Sequence, residues 1–426
     1  MKNNLKSIKM MDWARTLFPI NRSLTGQGVR QTIKFVRNKV NKDFKNQKIK
    51  SNTRVYDWKV PNEWQVSEAY IDEISGKRIC DFRHNNLHLV GYSKNINKIM
   101  NYKNLVKKIH FLKNKPNSIP YVTSYYKKDW GFCLTFKRFK KMKKNKKYKV
   151  VIKSSHFKGN LDYAELIIKG KSKKEILITS YICHPSMANN ELSGPLVVMA
   201  LSKILKPSKY TVRLILIPET IGAIAYIKKN FLKLKNNLIA GFNLSCVGDN
   251  GPFTLISSKE GNTYADKVAK RVLSRMKKFK DVSFLKRGSN ERQFGCQNLN
   301  LPFVTICRTK FEDFKEYHTS DDNLNLISEK NLKKTLNQVL QIIKEIQTNK
   351  IYTKNLNCEP FFTKYNLIRT SRNRQNTKEK EINDIAAYVD KNYDEYELAK
   401  ILLKSKKYIK QHLKNLIKTK IIKEFV

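Results

Sequence analysis

Apolar and polar positions along the chain change their period three times, which divides it into four stretches. Residues 1–50 place Val29, Ile33, Phe35 and Val36 near helical spacing within GQGVRQTIKFVRNKV, so a helical N-terminal part is expected. From Thr53 to about Phe157 the period shortens to two, in TRVYDWKVP, EAYIDEI, KRICDF, LHLVGY, YVTSYY and GFCLTF, with turn residues between them. This predicts a small β-rich domain over residues 51–157. Across 158–350, strands alternate with helices. The strands are AELIIKG, EILITSYICH, TVRLILIP, LIAGFNLSC, PFTLIS and LPFVTICRT, and the helices are GPLVVMALSKIL, IGAIAYIKKNFL, TYADKVAKRVLSRM and SEKNLKKTLNQVLQIIKEI. Such a βα order predicts an α/β fold with a mostly parallel sheet flanked by helices. In the last stretch, 364–426, a polar linker TSRNRQNTKEK precedes EINDIAAYVDKNY, with Ile382, Ile385, Ala386 and Val389 on one helical face. EYELAKILLKS, KYIKQHLKNLIKTK and a β-prone IIKEFV follow, an order that resembles a winged helix-turn-helix.

Length and composition narrow the class. The chain has 426 residues, 40% of them hydrophobic, more than one core usually organises, and two or three domains are expected. The N-terminal stretch MKNNLKSIKMMDWARTLFPINRS has no apolar segment of signal-peptide length, and no later run reaches the roughly 18 apolar residues of a membrane span. A cytoplasmic location without a membrane span is the expectation. Seven cysteines lie scattered without a CxxC pair, which argues against a disulfide framework and against a cysteine-rich zinc finger.

The formal charge of +51, from 86 Lys and Arg against 35 Asp and Glu, would attract polyanions, yet the lysines are spread along the whole chain. Compositional bias is favoured over a dedicated polyanion function. The densest run, Lys137 to Lys149, reads as a solvated hairpin tip between GFCLTF and YKVVIK. Lys406, Lys407, Lys410 and Lys414 on the last amphipathic helix suit phosphate contacts, but that helix has no arginine, the commonest reader of guanine edges. A protein-interaction or homo-oligomer role is therefore favoured there over sequence-specific DNA reading, with nonspecific nucleic-acid binding as the alternative.

The stretch YICHPSMANNELSG (181–194) carries the candidate chemistry. His184 ends a buried-type strand just before a helix, and ligands in open α/β sheets gather beyond the carboxyl ends of strands. By the same logic TVRLILIPET brings Glu219 and Thr220, NLIAGFNLSCVGD brings Cys246 and Asp249, and EYHTSDDN brings His318 to that edge. Imidazole and carboxylate with an open position suit zinc, and a neighbouring carboxylate can shuttle protons. Blander roles stand beside these: Glu219 as the cap of the following helix, and Cys183 and Cys246 as small core residues. Ser186 lacks the Gly-x-Ser-x-Gly surroundings of a serine hydrolase.

ICHPSMANNELSG, IPETIGAIAY, RGSNERQFG and EYHTSDDNL, with LFPINRSLTGQGVRQT, VYDWKVP, NNLHLVGYS and IPYVTSYYKKDWGFC upstream, resemble a bacterial aminopeptidase-like family. Its members pair a zinc-exopeptidase domain, interrupted by a β-rich domain, with a C-terminal winged helix, and are often encoded near surface-polysaccharide genes. The resemblance implies a zinc-dependent hydrolase acting on a peptide or N-acyl amide, or a cyclase-type acyl transfer. It further implies His184 and His318 as metal ligands and Glu219 as general base. The bridging aspartate of the wider superfamily falls on Asn190, the carboxylate after the base on Thr220, and the last acidic ligand on Ser245 or Cys246. One zinc ion is therefore expected rather than two, with an oxygen from Asn190 or Glu191. Asn290, Glu291 and Arg292 are candidates to bind a substrate carboxylate or amine, or to form a salt bridge at a helix start. The changes at Asn190 and Thr220 also fit a scaffold that has lost its chemistry.

Overall fold

The computed structural model of the chain describes residues 7–296, 298–367 and 377–425, so most of the linker TSRNRQNTKEK lies outside the described residues. Helices α1 (Met10–Leu17) and α2 (Gln27–Phe35) form as their apolar spacing predicts. The helical reading of residues 1–50 misses strand β1 (Lys45–Lys50), whose alternation is too polar to stand out. A four-stranded antiparallel sheet follows, built from β2 (Glu63–Glu73), β3 (Arg78–Asp81), β4 (Ile96–Asn101) and β5 (Lys147–Phe157) in the order β3-β2-β5-β4. The basic run is not a hairpin tip. Phe136–Lys140 is a short helix capped by the Thr135 hydroxyl, and Phe132–Cys133 pairs with Ile109–His110. Phe139 stacks on Phe111 with ring centroids 4.2 Å apart, an apolar anchor that outweighs the strand propensity of GFCLTF.

The main sheet adds β6 (Asn160–Ile168), β7 (Ser172–Tyr181), β8 (Tyr210–Ile217), β9 (Leu238–Leu244), β10 (Phe253–Ile256), β11 (Phe279–Val282) and β12 (Phe303–Cys307). It is eight-stranded, in the order β1-β6-β8-β7-β9-β12-β10-β11. The centre, β8-β7-β9-β12, is parallel, whereas β1, β6 and the β10–β12 pairing are antiparallel. Every residue of β8 and β9 is buried, which explains why these strands read as continuous apolar runs. Arg213, the charge inside β8, is held by Glu175 at 2.9 and 3.0 Å and by Glu165 at 2.5 Å.

Four long helices connect and cover the strands: α3 (Ser193–Ile204), α4 (Ile221–Asn237), α5 (Tyr264–Leu273) and α6 (Glu329–Thr348). One sheet face packs against α1, α3, α5 and α6. The opposite face shares a single apolar core with α4 and the inserted antiparallel sheet: Leu177, Ile215 and Phe303 join Ile221 and Ile224 of α4 and Trp64, Ile71, Val150 and Ile152 of the insertion. The insertion is therefore a second layer over the sheet.

At the C-terminus, α7 (Thr377–Tyr388), α8 (Glu395–Ile401) and α9 (Lys406–Lys418) enclose Ile385, Val389, Leu398, Ile409 and Leu413, a cluster that also includes Tyr352 and Phe362. The last strand, Ile422–Glu424, pairs with Tyr352–Lys354 on the other side of the three helices in sequence. Asp394 ties these elements to the sheet domain. It caps α8, receives Arg271 Nη2 at 2.6 Å, and accepts from Tyr264 and Asn349 while fully buried. No described helix is long and apolar enough to cross a membrane. Replacing Asp394 with Ala removes the α8 cap and the acceptor of Tyr264 and Asn349, while Arg271 keeps Glu345 and Glu397; stability is expected to fall by about 2 kcal/mol. Urea denaturation reads that loss, and limited proteolysis is expected to cut beyond residue 350 before it cuts the sheet.

Candidate active site

Four loops leave the carboxyl edge of the parallel strands, after β7, β8, β9 and β12. Each holds a non-glycine residue in the left-handed region: Ser186 (φ 44°), Thr220 (60°), Cys246 (51°) and, in the loop after β12, both Glu312 (70°) and His318 (52°). Such backbone strain persists only where the surroundings over-determine it. The clamp for the loop after β7 is Asp322, whose carboxylate accepts the N–H groups of Asn189 (2.6 Å) and Asn190 (2.9 Å), while its carbonyl accepts that of Ala188. Burial lifts its pKa to about 6 against the pull of those donors. Gly194 lets α3 begin directly against the sheet, because a β-carbon there would collide with Leu244 O and Ser180 Oγ.

His184 is held from behind. Its Nδ1 lies 2.7 Å from Glu191 Oε2, and Glu191 Oε1 lies 3.4 Å from Nε of Arg22, which is 1% exposed. Arg22 also donates to the carbonyls of His184 (3.1 Å) and Leu17 (2.7 Å). Burial disfavours charge on His184, but the pull of Cys183 and Glu191 outweighs it and raises the imidazole well above its ordinary pKa. The other ring nitrogen, Nε2, lies 3.8 Å from Glu219 Oε2. His318 stands across from it with ring centroids 5.6 Å apart, stacked on Tyr317 at 3.9 Å and edge-on to Tyr121 at 5.1 Å. Burial, together with the neighbouring His184 charge, lowers His318 to about 3, so its ring is neutral. Glu219 accepts the Ser289 hydroxyl at Oε1 (2.5 Å), and its pKa is raised by burial against the opposing effects of His184, Ser289 and Arg292.

These groups border a cavity of about 400 Å³. One wall carries His184, Glu219, Thr220, Arg292 and His318; the opposite wall is aromatic, with Trp58, Tyr121, Tyr125 and Tyr126 from the inserted region. The other residues expected at the site lie in the walls. Asn190 Oδ1 accepts the Tyr181 hydroxyl (3.2 Å) and lies 3.9 Å from Cys246 Sγ. Glu191 sits on the far side of the His184 ring, and Asn290 Oδ1 accepts the Thr220 N–H (3.0 Å). Glu291 is consumed by the N–H groups of Gly288 and Ser289 and the Thr305 hydroxyl. Sequence reasoning missed Arg22, Ser289 and the tyrosine wall. The only hint of Arg22 was a charge between the apolar LFPI and the following helix.

Among the described residues one group of three donors lies close enough together to receive a metal, and a second, looser set borders the cavity. Cys183, His184 and Glu191 present ligand atoms within 4.8 Å of one another, and Glu191 Oε1, though paired in charge with Arg22 at 3.4 Å, makes no hydrogen bond. Arg22 supplies the cation there, Cys183 accepts the Glu219 N–H, and burial pushes the Cys183 thiol up to about 11. On the cavity side, His184 Nε2 and the His318 ring make no hydrogen bond among the described residues, and Glu219 adds a carboxylate oxygen. Two imidazoles could hold one zinc ion, with the Glu219 carboxylate beside it placed to move a proton. A second ion is poorly served, since Thr220 brings a hydroxyl, Asn190 a bonded amide, and Ser245 a hydroxyl 2.6 Å from that of Tyr181.

Residues 11–349 match the family described as Domain of unknown function (DUF4910). A Clostridium acetobutylicum protein, named as a candidate polysaccharide biosynthesis protein with aminopeptidase-like domain, is 39% identical over 358 residues, 83% of this chain and 81% of that protein. A crystal structure of a candidate peptidase from Clostridium acetobutylicum superposes with a TM-score of 0.80 at 34% identity, covering 99% of this chain and 98% of that one. The zinc aminopeptidase of Bacillus subtilis shares the fold at a TM-score of 0.57 and 14% identity, over 81% of this chain and 94% of that one. The α/β sheet with its flanking helices is thus an aminopeptidase-type architecture, and the chain belongs to the DUF4910 family of aminopeptidase-like proteins.

Proposed function

We propose that the protein is a zinc-dependent amide hydrolase that cleaves a peptide or N-acyl bond in a small substrate of surface-polysaccharide synthesis. The observation that carries this reading is the convergence of His184 Nε2, His318 and Glu219 on one cavity. The relative's name supports the pathway, and the fold shared with zinc aminopeptidases supports the reaction class.

In this reading His184 and His318 hold one zinc ion. Bound there, zinc would polarise the scissile carbonyl and ease ionisation of water. Glu191, fixed by Arg22, keeps the proton on Nδ1, so the proton that zinc would displace from His184 is the one on Nε2, toward the cavity. Asn190 holds the loop through Tyr181 and Asp322. Glu219, anchored at Oε1 by Ser289, uses Oε2 to take a proton from water as the water oxygen bonds to the amide carbon. The C–N bond then breaks, and Glu219 returns the proton to the departing nitrogen. The aromatic wall keeps bulk water from the reacting carbon.

A second reading, a scaffold without chemistry, draws on Asn190 and Thr220, which are hydrogen-bonded within the fold where the superfamily has carboxylates. The DNA-reading alternative finds little support in the last helix. Lys406 and Lys410 turn toward Glu395, at 3.8 and 3.3 Å, and Lys406 also reaches Asn349.

Elemental mass spectrometry of tag-free protein is expected to find one zinc per chain, lost in the His184→Ala, His318→Ala double variant. Protein that takes up no zinc on reconstitution would favour the scaffold. Glu219→Gln is expected to retain zinc and lower amide turnover by about 10²–10⁴-fold, read as kcat on an amide panel.

A further inference from the structure

We propose that the cavity selects amides that carry a carboxylate next to the scissile bond, and that it discriminates against a free amino terminus, with Arg292 as the residue that reads the charge. The proposal rests on the hydrolase reading above and narrows its substrate class. A protease of free amino termini must offer the terminal ammonium an anionic or acceptor-rich pocket. Here the carboxylates of the site are already engaged. Glu191 is divided between His184 and Arg22, and Glu291 is enclosed by three donors from its own loop and β12. Among the described residues Glu219 is the only carboxylate on the cavity wall, and Ser289 and His184 already face it.

Cationic donors, by contrast, are available. Arg292 lines the cavity and has no carboxylate within ion-pair reach among the described residues. Its one side-chain hydrogen bond runs from Nη2 to Thr220 Oγ1 at 2.6 Å, which leaves most of the guanidinium fork open. Thr220 stands where the resemblance places a carboxylate ligand for a second metal ion. A permanent organic cation thus faces the cavity from the position where that ligand is missing. Beside it, the buried side chain of Asn290 keeps Oδ1 on the Thr220 N–H while its Nδ2 has no partner, a further donor in need of an acceptor. Arg292 also borders a second cavity of about 800 Å³, lined by Arg287, Lys259, Phe231 and Phe284 and by one acid, Asp57, which gives a substrate room beyond its carboxylate. A guanidinium with a free fork binds carboxylate through paired hydrogen bonds and repels an ammonium.

Calorimetric titration of zinc-reconstituted and metal-free protein with three probes tests this: N-acetylphenylalanine, its neutral amide N-acetylphenylalaninamide, and phenylalaninamide with its free amine. The carboxylate probe is expected to bind at least about tenfold more tightly than either of the others, also in metal-free protein, where zinc cannot attract it. Arg292→Gln is expected to abolish the difference, and Arg292→Lys to keep part of it; thermal unfolding verifies that both variants are folded. Equal affinities, tightest binding of the free amine, a preference that survives in Arg292→Gln, or no carboxylate binding up to about 10 mM would each overturn the proposal. Carboxylate binding through Arg292 without hydrolysis of any amide would retain this assignment and remove the hydrolase reading. Zinc-dependent cleavage of free-amine substrates alone would do the reverse.

Discussion

A buried carboxylate shared between two cations is the constraint on which the site depends. Glu191 lies between Arg22 and His184, and the three come from parts of the chain that meet only in the folded protein. Removing one member of such a buried set leaves an uncompensated charge, a loss of about 3–5 kcal/mol, so the set either forms whole or the edge of the sheet comes apart. The same carboxylate fixes which imidazole nitrogen faces the cavity. Folding and chemistry here share a single hydrogen bond.

The parallel centre of the sheet was legible because strands covered on both faces are mostly apolar, as β8 and β9 are apart from Thr211, Arg213 and Asn243. The edges were less so. Strand β1 reads KNQKIK, polar because only part of it is covered, and β11 reads FKDV for the same reason. The Lys137–Lys149 run misled because its structure follows from three phenylalanines, Phe111, Phe136 and Phe139, whose stacking is a tertiary fact. At the site, residue type and position at strand ends pointed to His184, Glu219 and His318. Which way Asn190, Glu191 and Glu291 turn depends on hydrogen bonds to Tyr181, Arg22 and Thr305, partners that no local pattern identifies.

Fold relatives bear on the architecture and less on the chemistry. The loops at this sheet edge carry an amide, two hydroxyls and a thiol, from Asn190, Thr220, Ser245 and Cys246, each with a hydrogen-bonding partner in the protein. The cavity beside them is lined by Arg292 and, among the described residues, by a single carboxylate, Glu219. Fold sets where a cavity can be, and side-chain charge sets what enters it.

The inserted sheet shares its apolar core with α4 and the second face of the main sheet, with Trp64, Ile71 and Val150 packed in one continuous body with Leu177 and Ile215. A layer joined in this way has no hinge. It cannot lift as a lid without exposing the interior of the molecule, so admission to the cavity falls to single side chains at its rim. Trp58 and Tyr126, 40% and 52% exposed, stand at that rim in edge-to-face contact at 5.8 Å. Motions of exposed rings of this kind run on the picosecond-to-nanosecond scale, far faster than domain closure.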